Sequence, residues 1–143
     1  TSAIAAPAYG GIPVTHRDCC SSLHIVTGHQ RAGKELAIDF EALVRTGGTL
    51  VFLMGVSALP TICAGLLDAG MAPDTPAAVV YKATWPEQKT VRCTVGSLAQ
   101  SVHDAGITKT ALIVAGDFLG TRYERSKLYD PGFTTEFRKG SDQ

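Results

Sequence analysis

The sequence has no surplus of either charge: 13 Lys and Arg stand against 13 Asp and Glu in 143 residues. Neutralising a phosphate backbone takes a basic surplus, so nucleic acid is not an expected partner. Long hydrophobic runs are missing as well. The longest mostly apolar stretch, Thr49 to Leu59, is well short of the ~20 residues that span a bilayer, and no membrane partner is expected. Cysteine is scarce and unpaired by motif. Cys19, Cys20, Cys63 and Cys93 form no CxxC, and an adjacent pair such as Cys19-Cys20 cannot close a bridge of ordinary geometry. These residues are expected to be reduced thiols of a cytoplasmic protein.

Standard catalytic signatures are also lacking. His16, His24, His29 and His103 do not have the spacing of a zinc helix, and no metal is expected. There is no G-x-S-x-G elbow and no G-x-x-x-x-G-K-[ST] loop, and Gly10-Gly11 alone is too weak to indicate phosphate binding. No catalytic nucleophile or acid–base pair is therefore assigned in this domain. The chain opens at Thr1 rather than Met, inside an Ala-rich run without a basic leader, and is expected to be a fragment of a longer protein.

What is present is a composition, 45% hydrophobic and 18% charged, that suits one globular domain over 1–143. Leu23–Thr27 is β-rich. Leu36, Phe40, Leu43 and Val44 recur at helical spacing. Thr49–Leu53, Ala77–Thr84 and Ala111–Ala115 are continuous apolar runs, the pattern of strands covered on both faces. Leu59 to Leu67 is expected to be a helix capped by Ser57 and opened by Pro60, and a second helix follows Ser97. Lys89–Val95 alternates, as a half-exposed antiparallel strand does. The fold class expected is α/β, with a mixed, mainly parallel sheet flanked by helices.

In such sheets ligands sit beyond the carboxyl ends of the strands. Those ends read Thr27-Gly28, Met54-Gly55, Ala83-Thr84-Trp85 and Gly116-Asp117, so these loops are expected to line any site. Within Thr15-His16-Arg17-Asp18, Arg17 has the geometry to clamp a carboxylate, or else forms a solvated surface pair with Asp18. Met54 is adaptable enough to pack a flat ligand, or else fills core.

Longer motifs carry a resemblance. Tyr9 to Arg17, Val26-Thr27-Gly28-His29, Gly48 to Val56, Ala72 to Pro76 and the Ala-Thr-x-Pro-x-Gln run from Ala83 to Gln88 resemble the tetrapyrrole (corrin/porphyrin) methylase family. The first half is most similar to its uroporphyrinogen-III C-methyltransferases. Tyr81 to Pro86, Val91 to Val95 and the tail from Ser126 to Thr134 with Phe137-Arg138 look more like its precorrin-4 C11-methyltransferases, which commonly have His where Thr135 stands. The resemblance implies the second, C-terminal domain of a cytoplasmic, homodimeric enzyme of sirohaem and cobalamin biosynthesis. Such an enzyme transfers methyl groups from S-adenosylmethionine to a reduced tetrapyrrole, in a cleft shared with its own N-terminal domain. By matching position it implies Thr1, Ser2, Met54, Ala83 and Ala111 as cofactor contacts. Arg17 and Met54 are the implied substrate contacts. Uroporphyrinogen III is the expected substrate and precorrin-4 the alternative. A non-catalytic dimerisation or ligand-binding module is the alternative of another class.

Overall fold

The computed structural model describes residues 1–16, 18–31, 34, 36–120, 132 and 134–140. Among these residues five strands form one sheet: β1 (Leu23–Thr27), β2 (Thr49–Leu53), β3 (Pro76–Tyr81), β4 (Lys89–Thr94) and β5 (Ala111–Ala115), in the order β1-β2-β5-β3-β4. Among the described residues four helices flank it: α1 (Ser2–Tyr9), α2 (Phe40–Thr46), α3 (Leu59–Asp68) and α4 (Leu98–Asp104).

The sheet is mixed and flanked by helices, as expected, but it is not mainly parallel. Only β1 and β2 pair in parallel, with Leu23 opposite Thr49. The pairings β2–β5, β3–β5 and β3–β4 are antiparallel. The reason is topological. The α3 crossover does join two strands of the same direction, β2 and β3, but β5 inserts between them and runs the other way. A continuous apolar run reports burial on two faces and carries no information about the direction of its neighbours.

Both faces are covered. α2, α3 and α4 pack over Leu50, Phe52, Ala77, Val79 and Ile113 on one side. On the other, α1 and the segment around Ile12 and Cys20 cover Val51, Ala78, Val80, Leu112 and Val114. The alternation along β2 thus sends Leu50 and Phe52 to one core and Val51 to the other, and all three are fully buried. Thr49, also fully buried, places its hydroxyl by donating to Cys20 Sγ at 3.3 Å.

Several boundaries differ from the sequence pattern. α2 begins only at Phe40, because Asp39 caps it by accepting from the Ala42 N–H at 2.9 Å. Ser57 does not cap α3. It sits in a 3₁₀ turn, Val56–Ala58, that leads into the helix at Leu59. Ser97 instead forms a capping box with Thr94 around the short turn before α4. α1 has no counterpart among the expected elements, since Pro7 falls inside it and disguises the helical spacing. β3 ends at Tyr81 rather than Thr84, which releases Lys82, Ala83 and Thr84 from the sheet.

Candidate functional site

Strand direction decides which residues meet. β1, β2 and β3 all end at one edge of the sheet, and β5 begins there. Phe52 lies opposite Ile113 and Tyr81 opposite Ala111, so Met54, the turn after Tyr81 and the start of β5 converge. The first turn of α1 lies over the same edge. Together they enclose a cavity of about 300 Å³ lined by Ser2, Ala6, Leu53, Met54, Val80, Lys82, Ala83, Trp85, Thr110, Ala111 and Leu112. Four expected cofactor contacts, Ser2, Met54, Ala83 and Ala111, line this one space. Thr1 does not line it but caps α1 beside Ser2, its hydroxyl accepting from the Ala3 N–H at 3.4 Å.

Backbone strain gathers at the same place. Among the described residues, non-glycine positive φ occurs at Met54 (52°), Lys82 (44°), Thr84 (74°) and Thr110 (57°). Three of these line the cavity and Thr84 lies between two lining residues. Left-handed backbone is uncommon outside glycine and costs on the order of 1–3 kcal/mol per residue, and such strain concentrates at ligand sites. Its confinement to one sheet edge sets that edge apart from the rest of the fold.

The walls are mainly apolar and small. Met54 is 61% exposed and Trp85 53% exposed, so both present their side chains to an incoming ligand rather than filling core. Among the described lining residues Lys82 is the one Lys or Arg. Its ammonium pairs with Glu87 at 3.6 Å and lies over the Trp85 ring at 5.0 Å and the Tyr81 ring at 5.5 Å. The Lys82 charge therefore already has a carboxylate partner.

Some expected loops do not take part. Gly116-Asp117 follows the carboxyl end of β5 and lies at the opposite edge, because β5 is antiparallel to its neighbours. Gly28 and Gly55 are buried and serve packing: a Cβ on Gly28 would meet Gly55 Cα at 2.6 Å, and one on Gly55 would meet Ile62 and Ile113. Arg17 lies outside the described residues, as does most of the tail from Ser126 to Thr134. Its neighbour His16 pairs its backbone with Cys20 and accepts from the Asp18 N–H at 3.3 Å. His16 lines a separate hollow of about 440 Å³ with Arg92 and Phe118, which shares no residue with the first. Among the described residues no group of three or more His, Cys, Asp or Glu could hold a metal ion. Residue patterns did not mark Ala6 or Thr110 as lining residues. For Ala6 a recognised α1 would have done so, and for Thr110 only backbone φ does.

The sequence profile described as Tetrapyrrole (Corrin/Porphyrin) Methylases matches residues 1–99. The chain belongs to the tetrapyrrole methylase family. A uroporphyrinogen-III C-methyltransferase of Bacillus subtilis is 44% identical over 83% of this chain and 25% of its own length. The structure of a cobalt precorrin-4 methyltransferase superposes with a TM-score of 0.76 and 31% identity, over 84% of this chain and 50% of its own. A Thermus thermophilus uroporphyrin-III C-methyltransferase complexed with S-adenosyl homocysteine gives 0.66 and 28%, over 78% and 48%. The chain thus spans from about a quarter to about a half of the length of these relatives. Met54 and Ala83 fall within the matched residues, while Thr110 and Ala111, at the start of β5, fall beyond them.

Proposed function

We propose that this chain is the C-terminal domain of an S-adenosylmethionine-dependent tetrapyrrole C-methyltransferase, and that the cavity beneath α1 is its half of the donor site. The observation that carries the reading is the convergence of Ser2, Met54, Ala83 and Ala111 on one space at the strained sheet edge. The residues present suit such a donor. Ala6, Ala83 and Ala111 leave room for an adenosyl group, backbone at the strand tips can approach it closely, and the Lys82 ammonium is paired with the Glu87 carboxylate. The bound donor supplies an already electrophilic methyl group. What the chain's own residues contribute is then orientation and exclusion of water, which accounts for a site built from small and apolar side chains.

Arg17 is the proposed contact for the carboxylates of the macrocycle, and exposed Met54 the surface between the two ligands. The remaining walls would come from an N-terminal domain, with the whole enzyme a cytoplasmic homodimer. Uroporphyrinogen III is the proposed substrate, supported by the identity to the Bacillus subtilis relative and by the Thr15-His16-Arg17 block. Precorrin-4 is a second reading, favoured by the higher TM-score to the cobalt precorrin-4 methyltransferase.

The test is mass spectrometry of the tetrapyrrole product after incubating the full-length protein with S-adenosylmethionine and either substrate. Methylation of uroporphyrinogen III supports the main reading, and methylation of precorrin-4 alone supports the second. A protein that methylates neither points to a non-catalytic assembly module.

A further inference from the structure

The turn from Lys82 to Gln88 and the helix α1 both contribute walls to the cavity, and the Gln88 side chain joins them. Gln88 Oε1 accepts from the Thr84 N–H at 2.7 Å, and Gln88 Nε2 donates to the Tyr9 carbonyl at 3.0 Å, 79 residues away in sequence. Both partners are backbone groups with fixed roles, so the amide can face only one way. The two bonds answer two separate needs. Thr84 sits at φ 74°, where its N–H has left the sheet, and Tyr9 C=O is one of the last carbonyls of α1, which no helical N–H can reach. A side chain that replaced Gln88 would have to donate at one end and accept at the other over the same reach. Glu has no donor, Lys no acceptor, and Asn is one methylene short.

The helix end is also pressed onto the hairpin. A Cβ on Gly10, just past α1, would lie 2.9 Å from Val80 Cγ2 and 3.3 Å from Thr90 Oγ1, so α1 and the β3–β4 pair meet backbone to side chain there. Gln88 closes the same contact from the turn. We infer that Gln88 is a positioning residue for the donor site, fixing the spacing between Ser2 and Ala6 on α1 and Ala83 on the strained turn. It touches neither reacting group. It acts by holding two walls at the width the ligand needs, and the inference rests on the donor-site reading above.

The test uses the full-length protein and titration calorimetry with S-adenosylhomocysteine, beside KM for S-adenosylmethionine, kcat and the thermal midpoint. Gln88→Leu removes both bonds and is expected to weaken binding and raise KM about tenfold, the scale of two modest hydrogen bonds, with kcat within about twofold. Gln88→Glu keeps the acceptor for Thr84 and is expected to recover part of that loss, to roughly threefold. Asp39→Ala, which removes the cap of α2 away from the cavity, serves as a control that lowers stability and should leave affinity unchanged. Wild-type affinity in Gln88→Leu, or an equal loss in Asp39→Ala, overturns the inference while leaving the donor site standing. A wild-type protein that binds no S-adenosylhomocysteine overturns the donor-site reading, and the inference with it.

Discussion

At the scale of single residues, the site is marked by conformation more than by chemistry. Thr110 illustrates this. It is β-branched, exposed and held at φ 57° just before β5, where its carbonyl accepts from the Lys82 N–H at 2.9 Å. Relieving a left-handed residue recovers on the order of 1–3 kcal/mol, while glycine adds roughly 0.5–1 kcal/mol of chain entropy to the unfolded state. Thr110→Gly is therefore expected to raise stability by about 1 kcal/mol in a urea titration. The same change should weaken S-adenosylhomocysteine, because the strained edge would no longer be fixed. A variant that gains stability and keeps full affinity would show that the strain at Thr110 serves no ligand. None of this was visible in the sequence, where Thr110 is an ordinary polar residue ahead of an apolar run. Met54 and Ala83 stood out as strand-end positions, and a cofactor role for them was implied only by the longer motifs, since neither residue type is distinctive alone.

At the scale of elements, local signals were legible and their partners were not. β2 and β5 match their apolar runs to the residue, because burial between two layers leaves an unbroken pattern, and the partly exposed edge strand β1 matches its β-rich run. The direction of β5 was not legible, since direction depends on which strand it inserts between. That one fact moves Gly116-Asp117 away from the site and brings Ala111 into it. Helix starts depended on side-chain caps. Asp39 caps α2 with a 2.9 Å bond, and Asp39→Ala is expected to cost about 1 kcal/mol in urea unfolding. An unchanged midpoint would mean that packing of Leu43 and Val44 alone fixes α2. The contact between Gly28 and Gly55 is less tolerant, because a methyl would fall 2.6 Å from a neighbouring Cα with no side chain to move. Gly28→Ala should destabilise by roughly 2–3 kcal/mol, and a wild-type urea midpoint would contradict so close a backbone contact.

At the scale of the whole molecule, one of the two cores makes stability depend on pH through its thiols. Burial pushes the thiols of Cys63 and Cys93 up, with a hydrogen bond from Ser101 offsetting part of the effect at Cys93. A thiol held neutral by the fold adds nothing that pH can remove below its ordinary pKa of about 8.5, and costs stability once rising pH ionises it in the unfolded chain first. The urea midpoint should hold from neutral pH to that point and fall above it, and the double variant Cys63→Ala/Cys93→Ala should flatten the fall. An identical fall in the double variant would place the cause elsewhere. The molecule also joins its two cores at one edge: α1 belongs to one and the tips of β2 and β3 reach both, so a ligand there touches parts that no single element contains. That convergence is the central claim, and Ala83→Leu probes it most directly, since Ala83 lines the cavity from a turn and lies outside the strands. Titration of S-adenosylhomocysteine into the full-length protein should give saturable binding that Ala83→Leu weakens by at least about tenfold while the thermal midpoint holds. Equal affinity in the wild type and the variant would place the donor somewhere other than the edge bounded by Met54, Ala83 and Ala111.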